Sequence, residues 1–232
     1  MGLIRVGHRG APEEFPGNTL KGFRRAVELG CAMVECDVRQ AVDGLLVLAH
    51  DPYVKDINGK TFVIARETHA DLARIDLGAG EGVPTLEALA AWAVGRCAVM
   101  ADMKCEGNGV EADVVQLLAR LSAKEKVVPG ADAASRGRFR AIDPSMPLSL
   151  SIGCGDDGLQ RFGGFDALLP AIDTDAVTWE HPLLDATRIA ALHDRGMCVF
   201  AWTVDDLPTM QRLLSDGVDG LISNRPDLLA TL

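Results

Sequence analysis

The sequence contains no apolar run approaching about 18 residues, which excludes a transmembrane helix. Its first residues, Met1-Gly2-Leu3-Ile4-Arg5-Val6-Gly7-His8, have neither a basic n-region nor a long apolar core, so no signal peptide is expected. Basic residues are the minority, 23 Lys+Arg against 33 Asp+Glu, for a formal net charge of −10. Nucleic-acid phosphates need a basic footprint and anionic lipids a polybasic patch, so neither partner is expected. The six cysteines (31, 36, 97, 105, 154 and 198) include no Cys-x-x-Cys pair, and most lie in apolar, strand-like runs. Reduced core thiols in the cytosol are therefore expected, in place of a zinc site or disulfide framework. No internal repeat, low-complexity tract or interdomain linker interrupts the chain. What is present is ordinary for a globular protein: 48% apolar and 24% charged residues over 232 positions. Disordered, collagen-like and coiled-coil readings fall away, and the length suffices for a substantial core.

Short apolar runs alternate with segments of helical period. Strands are expected over 3–7, 32–38, 98–103, 126–129, 147–151, 175–178, 197–201 and 218–222. Helices are expected over 18–29, 85–94, 110–121, 133–141, 157–162, 182–195, 206–215 and 226–232. Eight βα units in strict alternation imply a parallel sheet closed into a (β/α)₈ TIM barrel, one domain over 1–232. After the second strand, Asp43-Gly44 between apolar runs signals a hairpin with a two-residue turn. Counted outward, that turn pairs Val42 with Leu45, Arg39 with Leu48 and Asp37 with His50. Residues 51–84 read as a small loop-rich insertion over the C-terminal rim.

Residues two apart in a strand share a face, so Glu35 and Asp37 stand side by side at the end of an apolar strand. Two such carboxylates are either solvated at the rim or joined by a divalent cation that accepts both as oxygen ligands. In the next strand Asp102, Lys104 and Glu106 alternate onto one face at the C-terminal end, where barrel sites are built. Asp102 is a candidate third ligand, with Glu106 the alternative further out. Lys104 either meets an anionic substrate or forms an ion pair with Asp102. The first strand runs into Gly7-His8-Arg9-Gly10, where Arg can grip two phosphate oxygens and His can move a proton near neutral pH. His50 supplies a second imidazole, and two histidines flanking a metal-bound phosphodiester would make an acid–base pair.

These residues identify a resemblance. The chain resembles the glycerophosphodiester phosphodiesterase family, whose barrel is related to phosphatidylinositol-specific phospholipase C. The resemblance rests on His8-Arg9-Gly10, Asn18-Thr19, Glu35-Cys36-Asp37-Val38, Asp43-Gly44 and His50-Asp51. It continues through Pro84-Thr85-Leu86-Glu87, Asp102-Met103-Lys104, Trp202-Thr203-Val204 and Gly217-Val218-Asp219-Gly220. It implies one divalent cation, Ca²⁺ or Mg²⁺, on Glu35, Asp37 and Asp102. It also implies His8 and His50 as general acid and base, Arg9 and Lys104 on the phosphate, and a glycerophosphodiester cleaved to glycerol 3-phosphate and an alcohol. In the related phospholipases the substrate's own 2-hydroxyl attacks first.

The chain departs from the family pattern at several places. Gly17 stands where the family has Glu, with Glu13 or Glu14 as candidate substitutes. Asp102 replaces a Glu, Ala41 a Thr, Pro129-Gly130 a Ser-Phe, and Ser223-Asn224 a Thr-Asp. Two other functions fit parts of the pattern: an aldolase-like enzyme with Lys104 as Schiff-base nucleophile, and a barrel that binds a phosphate ligand without turnover. Trp202 is a candidate wall of the substrate pocket, or core. Phe15 and Tyr53 could line the entrance and His181 could touch substrate, whereas His69 and His193 read as solvated.

Overall fold

Along the inward strands, apolar and polar side chains are sorted by depth, and closure of the sheet makes that sorting matter. The computed structural model describes residues 2–124, 127–155 and 158–232. Its strands are β1 (Ile4–His8), β2 (Met33–Gln40), β3 (Leu46–Leu48), β4 (Tyr53–Lys55), β5 (Thr61–Val63), β6 (Ala98–Met103), β7 (Val127–Gly130), β8 (Ser149–Ile152), β9 (Ala176–Glu180), β10 (Cys198–Trp202) and β11 (Gly220–Ser223). The helices are α1 (Leu20–Glu28), α2 (His69–Leu72), α3 (Leu86–Ala93), α4 (Val110–Arg120), α5 (Ala133–Ile142), α6 (Phe165–Leu168), α7 (Ala186–His193), α8 (Leu207–Asp216) and α9 (Pro226–Leu229). The strand order β1-β11-β10-β9-β8-β7-β6-β2 closes on itself because β1 also pairs with β2. Eight parallel strands thus form the barrel, as the alternation implies.

The alternation of each strand divides two cores. Val34, Cys36, Val38, Val99, Ala101, Val177 and Val199 face outward into the layer shared with the helices. Val6, Met33, Met100, Ala176, Phe200 and Ile222 face inward and plug the barrel's lower half. Two residues further along the same faces come His8, Glu35, Asp102, Thr178 and Trp202, so an apolar floor carries a polar mouth. Strands reach one or two residues beyond the expected ends in most units: β1 ends at His8, β2 at Gln40, β9 at Glu180 and β10 at Trp202. The apolar runs mark the plug, and the ladder continues past it into polar residues. Of the expected ranges, residues 126 and 157 lie outside the described ones.

The hairpin differs from its expected form by one residue. Ala41 N–H donates to the Leu45 carbonyl at 2.9 Å and Gly44 N–H to Ala41 at 3.0 Å, giving a three-residue loop with Gly44 at φ +83. A type I turn closed by a left-handed glycine uses Asp43-Gly44 as its last two residues, not its only two. Arg39 therefore faces Val47, Val38 faces Leu48, and Ala49, not His50, donates to the Asp37 carbonyl. The insertion carries the β4–β5 hairpin and α2 over a small core of Ala41, Val47, Ala49, Ile64, Leu72, Ile75 and Val83.

Helix starts follow side-chain caps more closely than hydrophobic period. Thr19, Thr85, Asp132, Asp185 and Asp206 each accept a backbone N–H from the first turn of α1, α3, α5, α7 and α8. The helix expected from 182 therefore begins at Ala186, after a 3₁₀ turn holding Pro182. The segment expected as a helix over 157–162 is a 3₁₀ turn at Gly158–Phe162, followed by the four-residue α6. The helix expected over 226–232 is only the four-residue α9.

All six cysteines are free. Cys31, Cys36 and Cys97 are buried, and burial pushes the Cys31 thiol up to about 12 and that of Cys97 to about 11. Cys154 and Cys198 are exposed, contrary to the core placement expected of the set; Cys198 is the first residue of β10, on the inward face below the Phe200 plug. Among the described residues, no helix is long and apolar enough to cross a membrane.

Candidate active site

A cavity of about 370 Å³ opens at the C-terminal ends of the strands. His8, Arg9, Glu35, Asp37, His50, Asp102, Lys104 and Trp202, the eight residues singled out from the sequence, all line it. Register explains why they meet. His8 pairs with Glu35 across β1–β2, and Asp37 with Asp102 across β2–β6.

Glu35, Asp37 and Asp102 each bring a carboxylate oxygen within 4.8 Å of the other two. At an effective dielectric of about 20, each such pair repels by about 3–4 kcal/mol. Arg9 Nε lies 3.0 Å from Asp37 Oδ2, and Lys104 Nζ lies 2.7 Å from Asp102 and 3.3 Å from Asp37. Asn18 grips Asp37 from both ends, donating Nδ2 to the carboxylate at 2.9 Å and accepting the Asp37 backbone N–H at 3.0 Å. Glu35 receives the Arg9 backbone N–H at 3.0 Å but no side-chain cation that close. Burial, then the charges of Asp37 and Asp102, raise its carboxyl well above the usual range. Two side-chain cations thus face three carboxylates, and the charge left over is on Glu35. A hard divalent cation fits this all-oxygen donor set and that unbalanced charge.

His8 Nδ1 stands 2.8 Å from Asn224 Oδ1, while Asn224 donates Nδ2 to Asp205 at 2.7 Å and its backbone N–H at 2.8 Å. With the amide nitrogen so engaged, Asn224 offers its oxygen, which assigns the imidazole proton to Nδ1. Nε2 is left as the free nitrogen, 3.8 Å from Glu35. Burial and the neighbouring Arg9 charge lower the His8 imidazole below its ordinary value. His50 is more open; its Nδ1 lies 2.9 Å from Asp51, and its carbonyl accepts the Arg39 guanidinium. Burial works to lower the Lys104 amine, but Asp102 and Asp37 overrule it and hold it above its ordinary value. A lysine kept as a cation is a poor Schiff-base nucleophile, which counts against the aldolase-like alternative. Trp202 packs on the inner plug and donates its indole N–H to the Thr178 carbonyl at 2.8 Å, so it is both wall and core.

Comparison with known proteins decides the family. A sequence model of the Glycerophosphoryl diester phosphodiesterase family matches residues 8–228. The chain belongs to that family. YhdW of Bacillus subtilis (strain 168), which carries the glycerophosphodiester phosphodiesterase name, is 30% identical over 97% of this chain and 95% of its own length. A glycerophosphodiester phosphodiesterase structure from Agrobacterium tumefaciens str. C58 superposes with TM-score 0.84 at 21% identity, covering 100% of both chains. An Oleispira antarctica phosphodiesterase, solved with its product sn-glycerol-3-phosphate, gives TM-score 0.83 at 21% identity, covering 98% of this chain and 95% of that one. At those identities the two structures show the shared fold. Family membership makes the chain an enzyme that hydrolyses phosphoric diesters of glycerol.

Several departures from the glycerophosphodiester phosphodiesterase pattern resolve in space. A side chain at Gly17 would begin 3.3 Å from the Arg9 Cβ, yet neither candidate substitute lines the cavity: Glu13 is exposed and Glu14 pairs with Arg25 at 2.7 Å. Glu106 is excluded as third ligand, because β6 ends at Met103 and Glu106 turns away to Arg138 at 2.7 Å. Phe15, Tyr53 and His181 lie off the cavity lining. The His69 backbone N–H donates to the Asp43 carboxylate at 2.9 Å, and the exposed His193 pairs with Asp219 at 2.8 Å. Sequence reasoning missed the roles of Asn18, Asp205 and Asn224. Asn18 carried one signal, an asparagine just before the Thr19 cap; its φ of +61 is a conformation that asparagine tolerates.

Proposed function

We propose that this cavity cleaves a glycerophosphodiester to glycerol 3-phosphate and an alcohol, with Glu35, Asp37 and Asp102 holding one divalent cation, Ca²⁺ or Mg²⁺. The observation that carries the reading is the convergence of two imidazoles, two cations and three carboxylates on one rim. When bound, such a cation supplies Lewis-acid polarisation of a phosphoryl oxygen. Arg9 and Lys104 already border the carboxylates and have further N–H donors for the phosphate. His8, neutral near pH 7 with Nε2 free, is the base that takes the proton of the attacking hydroxyl or water. His50, oriented by Asp51, is the acid that protonates the departing alkoxide. As the P–O bond to the nucleophile forms, the bond to the alcohol breaks. Where the substrate's own hydroxyl attacks, water then opens the cyclic phosphate with the two histidines in exchanged roles; where water attacks, proton exchange with solvent resets them. Free thiols and the lack of a disulfide framework support a reducing, cytoplasmic location.

His8→Ala and His50→Ala should each lower glycerol 3-phosphate release by at least about 10²-fold with the far-UV circular dichroism unchanged. Near-wild-type turnover in either variant overturns its assigned role. A barrel that only binds would retain a glycerophosphodiester and release nothing.

A further inference from the structure

The cavity has two unlike halves. The charged groups sit on β1, β2 and β6 and the loops that follow them. The opposite half, on β7 to β10, is lined by Gly130, Ser149, Ser151, Gly153, Thr178 and Trp202, none of them charged among the described residues. Ser149 and Ser151 face inward while Leu150 and Ile152 join the outer core, and Ser151 is in register with Thr178. This wall is made of hydroxyls and gaps.

Ser149 is fully buried, and its Oγ has no hydrogen-bond partner among the described residues. A buried hydroxyl left unpaired is destabilising, and alanine would occupy the same space without that cost. Gly130 shows which way the hydroxyl looks. Asp102, Gly130 and Ser149 are successive neighbours in register across β6, β7 and β8, all facing inward. A Cβ on Gly130 would lie 3.0 Å from Ser149 Oγ, so the hydroxyl borders space that exists because residue 130 has no side chain. Two strand spacings, about 9.6 Å, separate the Asp102 and Ser149 backbones, a span suited to a phosphate at the carboxylates and a short polyol beyond it.

We infer that this half of the cavity recognises the hydroxyls of the alcohol esterified to the phosphate, with Ser149 as a specificity-determining residue for polyol esters. The inference rests on the phosphodiesterase reading above. A quaternary ammonium head group calls for several aromatic faces. Among the described residues Trp202 is the one aromatic lining this cavity, and Glu180, two residues past Thr178 on the same face, is engaged by the Cys154 backbone N–H. The chemistry offered is hydroxyl to hydroxyl.

The test compares kcat/KM for glycerophosphoglycerol, glycerophosphoinositol and glycerophosphocholine in the wild type, Ser149→Ala and Gly130→Ala. At least one polyol ester should exceed the choline ester by about tenfold in the wild type, and Ser149→Ala should erase about tenfold of that ratio. Gly130→Ala, whose methyl crowds the Ser149 hydroxyl, should move the ratio the same way, and the two arms of polyol ester tell glycerol from inositol. The melting temperature of Ser149→Ala should not fall, since no internal hydrogen bond is lost. A wild-type ratio near one, a ratio unmoved by Ser149→Ala, or a lower melting temperature overturns the subsite and leaves the hydrolase reading standing. Release from none of the three esters overturns both.

Discussion

His8 meets the cavity with one nitrogen because Asn224 holds the other, and Asp205 in turn fixes the amide. The amide steadies the ring and by itself favours protonation, but burial and the Arg9 charge outweigh it, in keeping with a base that stays neutral. The wild-type acid limb of kcat/KM should therefore fall below about pH 6.5, the ordinary histidine value. The double variant Asp205→Asn with Asn224→Asp exchanges the two groups, keeps the hydrogen-bond pattern, and sets a carboxylate against Nδ1. Its acid limb should move up by roughly 1 pH unit; an unmoved limb would mean that His8 is not the group being titrated. The eight cavity residues were legible because strand alternation and local motifs sort them onto one rim. Asn224 and Ser149 were not, because their meaning lies in partners 216 residues away or in a missing one.

At the scale of elements, the hairpin after β2 sets where His50 lies. Gly44 closes its loop at φ +83 with nothing within 4 Å of a would-be Cβ, so conformation alone selects glycine. Gly44→Ala should cost about 1–2 kcal/mol in urea unfolding. It should also lower kcat, since β3 runs from this loop toward His50. An unchanged midpoint would contradict the left-handed turn. The barrel strands and most of the helices followed from periodicity, since the plug and the outer layer both need apolar residues every second position; the helix expected over 157–162 did not, being a 3₁₀ turn. Nor did the element ends, because caps such as Asp185 and the polar last residues of β1, β2 and β9 obey hydrogen bonding. The one-residue error in the hairpin register has the same origin: Asp-Gly marks a turn but does not by itself give the loop length.

Over the whole molecule, the net charge of −10 conceals a site where opposite charges are nearly matched. In the metal-free fold, burial and the neighbouring carboxylates make Glu35 hold its proton to higher pH than the unfolded chain does. Stability of that form should fall as pH rises from about 4.3 through the folded value. Glu35→Gln should therefore stabilise the metal-free protein at pH 8 by roughly 1–3 kcal/mol while abolishing any stabilisation by added Ca²⁺ or Mg²⁺. Thermal unfolding with and without the cation reads both effects, and a destabilised metal-free variant would refute the charge imbalance.

Glycerol 3-phosphate release, followed in a coupled assay over a panel of glycerophosphodiesters with Ca²⁺, Mg²⁺, Mn²⁺ or EDTA, measures cation-dependent cleavage in this cavity most directly. Release that requires a divalent cation, stops in EDTA, returns when the cation is restored and is lost in Asp102→Asn is the predicted result. Release that continues undiminished in EDTA, or at wild-type rate in Asp102→Asn, would contradict it.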